Sequence, residues 1–190
     1  LYKDGLQRDQ FIPFIHILEN FSYEKELFIE EDYRTNQKNN FERFLSPINQ
    51  SIKFKYNKFF RQITRDKKQT LKILDIKGRK VKVKNFYEKV MKFNFEELCK
   101  RNLGAEDYIS LANNAVFIFI ENLPDFHEDN SDQQQRFITL IDILYEKKVP
   151  LMITSQVNLN MIKSSKNLKD SFKRTISRLY ELTSLDYNKK

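Results

Sequence analysis

Residues 115–156 constrain the fold most strongly, because they carry the pattern of a strand, a helix and a second strand. Residues 115–120 form an unbroken apolar run rich in β-branched and aromatic side chains, which is typical of a strand buried on both faces. A second apolar run follows at residues 151–153, directly after Pro150. Short connections between these segments predict a βαβ unit whose two strands run parallel.

The helix between the two strands is predicted from amphipathic spacing and from its start signal. Ser131 and Gln134 have the spacing of a capping box, in which each side chain satisfies a backbone N–H group of the first turn. The buried face of this helix is predicted from apolar residues at helical spacing, namely Phe137, Leu140, Ile141, Leu144 and Tyr145.

Polar residues follow each of these strands, at the sheet edge where α/β proteins bind ligands. They are Glu121 and Asn122 after the first strand, and Thr154, Ser155 and Gln156 after the second. An acid after one strand and a small polar residue after the next is also the arrangement of P-loop ATPases. There the acid serves magnesium and the attacking water, and the polar residue senses the γ-phosphate. Only one carboxylate is present where two adjacent ones are expected, so we favour ordinary polar residues at strand ends.

The remaining segments alternate between helical and strand-like patterns. Residues 71–84 alternate with period two around a turn at 77–79, which predicts a β-hairpin. Gly104 is placed to end a short helix over 96–101. The other predicted helices cover about 11–18, 48–63, 105–113 and 168–182, and the other predicted strands cover 27–29 and 90–95.

The composition limits the class of protein. A chain of 190 residues, 40% hydrophobic and 32% charged, is long enough for one folded domain or two small ones. Cys99 is the only cysteine and cannot form an internal disulfide, and the isolated His16 and His127 do not suggest a zinc site. No apolar run approaches the ~20 residues of a membrane-spanning helix, and no signal peptide is recognisable. The first residue is Leu1, so we expect the chain to be part of a longer protein.

The positive charge is concentrated in residues 51–92, which carry a net charge of about +12, whereas the whole chain carries +8. Aromatic residues are interleaved with the lysines there, including Phe54, Tyr56, Phe60 and Phe86. Such a segment could follow a nucleic-acid backbone and stack bases. We favour the alternative, in which the aromatic residues belong to the core and the lysines form a solvated surface.

The glycines argue against a phosphate-binding loop in this chain. Such a loop needs closely spaced glycines whose neighbouring N–H groups converge on the phosphates, followed by a lysine. Gly5, Gly78 and Gly104 are the only glycines and lie far apart. Nucleotide hydrolysis by this chain alone is therefore not expected.

Arginines are the better candidates for chemistry, because a rigidly held guanidinium can neutralise charge on a transferring phosphoryl group. Arg8 stands at the start of a predicted helix, and Arg174 and Arg178 project from one side of the last helix. On spacing alone, solvated or ion-paired arginines are the favoured interpretation.

Several longer motifs occur in order along the chain. They are LYKDGLQR with FIPFI (1–15), DYR (32–34), LSPIN (45–49), FEELC with LGAEDYISLA (95–112), QRFITLIDILYE (135–146) and FKRTISRLYELTSLDY (172–187). Together they closely resemble the ZapE-type (AFG-like) AAA+ ATPases over nearly the whole chain, and only residues 51–90 match loosely. Gln135 departs from the pattern, since a second arginine is usual before Arg136.

The resemblance implies an α/β fold of partial P-loop AAA+ type, with a parallel βαβ unit, a basic hairpin region and a C-terminal helix. Residues 1–50 would be the end of the ATPase core, with an arginine-finger helix and the following strand. Residues 51–190 would be a C-terminal α/β region. The family's phosphate-binding loop, magnesium motif and sensor residue would all precede Leu1. The chain would then be the C-terminal half of an ATPase and inactive by itself.

The resemblance also implies roles and partners. Arg8 would be the arginine finger, and Arg174 and Arg178 would be sensor-like or inter-subunit residues. ATP and magnesium would be bound mainly by the preceding half of a homo-oligomer that acts on protein substrates or division proteins. The protein would be cytoplasmic in bacteria or mitochondrial in eukaryotes. The resemblance is compatible with peripheral association with a membrane, and nucleic acid is not an expected partner. The alternative is a basic interaction module that binds nucleic acid or an acidic protein surface.

Overall fold

The computed structural model describes residues 8–21 and 43–188, and the chain divides into two compact units between Asp32 and Tyr33. The first unit contains helix α1 (Arg8–Phe21), which begins where the sequence predicts a helix. The strand predicted at 27–29 lies outside the described residues. The proposed domain boundary near residue 50 stays a prediction.

Within residues 43–188, the second unit is built on a six-stranded sheet. Its strands are β1 (Phe44–Leu45), β2 (Thr70–Ile76), β3 (Arg79–Tyr87), β4 (Val90–Asn94), β5 (Phe117–Leu123) and β6 (Leu151–Ser155), and their spatial order is β1-β6-β5-β4-β3-β2. The pairs β1–β6, β6–β5 and β5–β4 are parallel, whereas β4–β3 and β3–β2 are antiparallel. The predicted α/β class, the parallel βαβ unit and the hairpin are therefore confirmed.

Helices cover both faces of this sheet. The bounds are α2 (Gln50–Ile63), α3 (Phe95–Cys99), α4 (Ala105–Asn113), α5 (Ser131–Glu146) and α6 (Lys169–Leu182). On β5, Phe117 and Phe119 pack against α2, whereas Ile118 and Ile120 belong to the larger core formed with α3 to α6. The prediction that this strand is buried on both faces is confirmed, because its alternate side chains meet two different helical layers.

Aromatic side chains join α2 to the sheet. The ring of Phe60 contacts Phe119 and Tyr87 edge to face at centroid distances of 5.1 and 5.3 Å, and the ring of Tyr56 contacts Phe119 at 5.6 Å. Edge-to-face pairs contribute about 0.5–1.5 kcal/mol beyond the area they bury. Much of the aromatic content of the basic segment therefore stabilises the core, as we favoured from the sequence.

Two predicted helix signals were wrong, for local reasons. Ser131 is already the first helical residue of α5, and Asn130 before it makes no side-chain capping bond, so the capping box at Ser131 and Gln134 does not form. Gly104 does not end α3. It precedes α4 in an extended conformation, and its N–H donates to Asp107 Oδ2 at 2.8 Å. The capping-box spacing of Ser131 and Gln134 and the position of Gly104 each match a sequence signal. In both cases the neighbouring backbone does not adopt the geometry that the signal requires.

Candidate functional site

The carboxyl ends of β4 and β5 border an open cleft of about 370 Å³. The residues that line it are Asn94, Phe95, Glu96, Lys100, Asn122, Pro124, Asn130 and Gln133. The cleft occupies the position at which α/β sheets bind ligands. Of the polar residues noted at the strand ends in the sequence, Asn122 lines it. Its polar lining is mostly amide, with one acid and one lysine.

Three of the polar residues predicted at the strand ends, Asn122, Thr154 and Ser155, hold β5 and β6 together. Asn122 adopts a positive φ of 61° at an irregularity in β5, and its N–H donates to Thr154 Oγ1 at 3.1 Å. The hydroxyl of Ser155 is buried and donates to the carbonyl of Leu123 at 2.9 Å. These contacts favour a structural interpretation of Asn122, Thr154 and Ser155.

Glu121 is neutralised within the chain. Its Oε1 accepts a hydrogen bond from Lys92 Nζ at 3.1 Å, and Lys92 in turn lies 5.1 Å from the ring centroid of Phe60. Burial raises the pKa of Tyr56, and the negative charge of Glu121 raises it further. The carboxylate of Glu121 therefore belongs to an ion pair beneath α2. In this environment Glu121 does not resemble a magnesium-binding acid.

The described residues contain neither an acidic metal-binding cluster nor a glycine-rich loop of the kind that binds a nucleotide and its magnesium ion. Within residues 8–21 and 43–188, no group of three or more His, Cys, Asp and Glu side chains is arranged to hold a metal ion. Gly78 lies in the turn between β2 and β3, and Gly104 precedes α4, so neither belongs to a phosphate-binding loop.

Arg174 and Arg178 lie one turn apart on α6 and share Asp142 of α5. Arg174 Nη2 is 3.2 Å from Asp142 Oδ2, and Arg178 Nη1 pairs with Asp142 Oδ1. The guanidinium of Arg178 also lies 5.0 Å from the ring centroid of Tyr145. The side chain of Arg174 is 58% exposed and that of Arg178 is 19% exposed. The structure thus brings the two arginines together on one carboxylate, with Arg174 exposed and Arg178 mostly buried.

Arg8 is the first residue of α1, as the sequence predicts. Its side chain and residues 1–7 lie outside the described residues. Its assignment as an arginine finger stays a prediction, as do the sensor-like or inter-subunit roles of Arg174 and Arg178.

Two buried polar side chains carry tertiary contacts that the sequence did not indicate. Asp107 is fully buried and accepts two hydrogen bonds from Arg79 Nη2, to Oδ1 and Oδ2, each at 2.9 Å. Gln134 is fully buried and binds the loop before α6 through Ser164 and Ser165. The sequence offered one signal for these contacts. The acid Asp107 and the amide Gln134 each occupy a helix position that the apolar pattern places near the core.

Fold and site together define the class of this protein. It is a mixed α/β domain with a mostly parallel sheet, consistent with a partial P-loop AAA+ architecture. The model of the AFG1-like ATPase family matches residues 1–190. The chain therefore belongs to the AFG1-like ATPase family, and the resemblance found in the sequence is confirmed.

Curated relatives support the same assignment. "Cell division protein ZapE" of Escherichia coli (strain K12) is 27% identical over 190 residues, which cover 100% of this chain and 51% of that protein. "Lactation elevated protein 1 homolog B" of Danio rerio is 29% identical over 174 residues, which cover 85% of this chain and 33% of that protein. The chain thus spans about half the length of the first relative and about a third of the second. No solved structure matches the chain.

Among the helices of residues 8–21 and 43–188, none combines the length and the apolar character that a transmembrane helix requires.

Proposed function

We propose that this chain is the C-terminal part of an ATP-hydrolysing AFG1-like protein that remodels protein partners. The observation that supports this proposal is the family match over all residues of the chain. ATP and magnesium would be bound mainly by a preceding part of the same protein, because neither Gly78 nor Gly104 belongs to a phosphate-binding loop. The protein would work as a homo-oligomer, so that arginines of one subunit reach a nucleotide held by another.

Arg8 is proposed as the arginine finger. In the complete protein, Arg8→Ala should lower ATP turnover at least a hundredfold while nucleotide affinity stays within about twofold, because a finger acts on transition-state charge. Arg65→Ala is the matched control, since Arg65 is 83% exposed and pairs only loosely with Asp66 at 3.8 Å. Unchanged turnover in Arg8→Ala would remove Arg8 from the active site.

Mixing subunits tests whether Arg8 acts across an interface. Arg8→Ala subunits mixed with subunits that keep Arg8 but have a disabled phosphate-binding loop should regain part of the wild-type turnover, because Arg8 of one subunit completes the intact nucleotide site of its neighbour. No recovery in the mixture would contradict an inter-subunit finger.

Arg174 is proposed as the inter-subunit residue of the α6 pair, and Arg178 as a positioning residue that holds α6 against α5. Arg174→Ala should lower turnover and change the free energy of unfolding by less than about 0.5 kcal/mol, because exposed ion pairs contribute little. Arg178→Ala should lower the free energy of unfolding by about 1–2 kcal/mol, since it removes a mostly buried charged hydrogen bond. Lys173→Ala, also exposed on α6, is the control. The opposite pattern would refute this division of roles.

The partners are proposed to be proteins of a cell-division or membrane-protein quality-control system, in bacterial cytoplasm or in mitochondria. The name of the bacterial relative supports the first option. Co-sedimentation of the complete protein with purified division proteins, with and without ATP, tests it, and absence of binding in both conditions would contradict it.

A further inference from the structure

We propose that the β2–β3 hairpin is a docking site for an extended, acidic segment of a partner protein, which pairs with β2 as an added strand. The surface involved, here named the hairpin face, consists of Leu71, Ile73, Lys80, Lys82 and Lys84. The proposal deepens the proposed action on protein partners. It depends on the exposed side chains and backbone of the hairpin and does not depend on nucleotide hydrolysis.

The hairpin face is the uncovered side of an amphipathic ribbon. Leu74 and Ile76 of β2, with Val81 and Val83 of β3, are buried in the core formed with α3 to α6. Successive side chains of a strand point to opposite faces, so the intervening residues lie on the side of the sheet that carries α2. In the part of the chain that the structure describes, nothing covers them there. Leu71 is 57% exposed and Ile73 is 47% exposed.

The lysines of the hairpin face are available to an incoming anion. Lys77 pairs with Glu106, and Arg79 pairs with Asp107, so these two cations of the hairpin are already neutralised. Lys80, Lys82 and Lys84 are exposed and make no ion pair with any described residue.

One acid shares this side of the hairpin. The Oδ1 atom of Asp75 accepts a hydrogen bond from the N–H of Gly78 at 3.3 Å, within the turn. Even with Asp75 included, three lysines oppose a single carboxylate, so the hairpin face attracts acidic groups.

The edge of β2 offers backbone hydrogen bonds as well. Among the described strands β2 is the last of the sheet, with β3 on one side only. Every second residue of such a strand directs its N–H and C=O groups away from the sheet. Edge strands that merely avoid association usually carry charges or proline. β2 carries Lys72 and Asp75, but it also presents the aliphatic Leu71 and Ile73 on its open face. Addition of a peptide strand would satisfy these groups.

The side chains favour a carboxylate-bearing strand over the other polyanions. Ile73 lies opposite Lys82 in the register of the hairpin, so the lysine stem can cover the isoleucine while its ammonium group reaches an acid on the added strand. Single-stranded nucleic acid needs exposed aromatic rings for stacking. In this segment Tyr56 is buried, and Phe60 packs against Phe119 and Tyr87. Phe54 of α2 is 72% exposed, but it does not belong to the hairpin face.

The test uses the purified chain without nucleotide and a labelled peptide of about eight residues in which glutamate and valine alternate. Fluorescence anisotropy at low salt should show saturable binding. Lys80→Glu combined with Lys82→Glu should weaken binding at least about tenfold, and Ile73→Thr, which keeps a β-branched residue, about threefold. Lys147→Glu, an exposed lysine after α5, is the matched control and should change affinity less than about twofold. Thermal unfolding confirms that each variant is folded.

A second peptide separates strand pairing from simple charge attraction. The same sequence with alternate backbone nitrogens methylated keeps its carboxylates but loses the N–H groups that would pair with β2. It should bind at least about tenfold more weakly. Equal binding of both peptides would overturn the strand-pairing proposal, and so would the absence of any binding.

Binding of other polyanions to the purified chain tests whether the partner is a protein. A thymidine oligonucleotide or phosphatidylserine vesicles that bind more tightly than the peptide, with the same sensitivity to Lys80→Glu and Lys82→Glu, would overturn the proposed partner. Turnover of the complete protein is measured separately. If the wild-type protein hydrolyses ATP but does not bind the peptide, the docking site alone is rejected. If the wild-type protein binds the peptide but does not hydrolyse ATP, the proposed function alone is rejected.

Discussion

Gln134 provides the sharpest test of the described structure. Its Nε2 donates to Ser164 Oγ at 2.6 Å, and its Oε1 accepts from the N–H and the hydroxyl of Ser165 at 3.0 and 2.8 Å. Ser165 is 1% exposed, so its N–H has no access to water once the amide is removed. The amide thus ties the first turn of α5 to the loop that precedes α6.

Gln134→Leu removes this contact with little change in volume. A typical internal hydrogen bond contributes about 0.5–1.5 kcal/mol, and a buried group left without a partner costs about 1–3 kcal/mol. Burial of the new aliphatic side chain offsets part of this loss. We expect the free energy of unfolding to fall by about 2–3 kcal/mol. With a urea slope of about 2 kcal/mol per molar, the midpoint of unfolding should fall by about 1–1.5 M.

The matched control is Gln135→Leu, the same substitution at the neighbouring exposed position of α5. It should change the free energy of unfolding by less than about 0.5 kcal/mol. A double-mutant cycle of Gln134→Leu with Ser165→Ala should show a coupling of about 1–2 kcal/mol, whereas a cycle with Ser131→Ala should show none. A loss below about 0.5 kcal/mol would refute the tertiary contact. Coupling to Ser131 in place of Ser165 would refute it as well and would support the capping box.

Two further predictions concern ionisable groups. Burial raises the pKa of the Cys99 thiol, so a thiol reagent at pH 8 should label it only after the chain is unfolded in denaturant; prompt labelling of the folded chain would contradict its burial. Burial, and then the nearby Tyr145 and Glu181, raise the pKa of Tyr187 from 10.0 to about 12. The folded state therefore disfavours the phenolate, and its contribution to stability is complete below pH 10 and is lost as the pH rises from 10 to 12. Denaturant titrations of wild type and Tyr187→Phe should differ in slope within that window, and identical pH profiles would show that Tyr187 titrates normally.

The family and the regular elements were readable from the sequence. Three local patterns predicted these elements: the continuous apolar run of β5, the period-two alternation of β2 and β3, and the apolar stripe of α6. They are local because apolar side chains on a buried face recur at the period of the helix or strand. Bounds differed by a few residues: the strand predicted at 115–120 is Phe117–Leu123. Motifs in order along the chain carried the family assignment, since they need no knowledge of contacts.

The tertiary structure decided which polar groups meet. Gln134 and Ser165 are 31 positions apart, and Arg79 and Asp107 are 28 apart, so no local spacing relates them. The sharing of Asp142 by Arg174 and Arg178, and the difference in their exposure, arise only when α6 packs against α5. The sequence determined the elements and the family because side-chain periodicity is set by backbone geometry. Packing determined the partners of buried polar groups, since an amide or carboxylate removed from water must be satisfied by whichever residue the fold brings beside it.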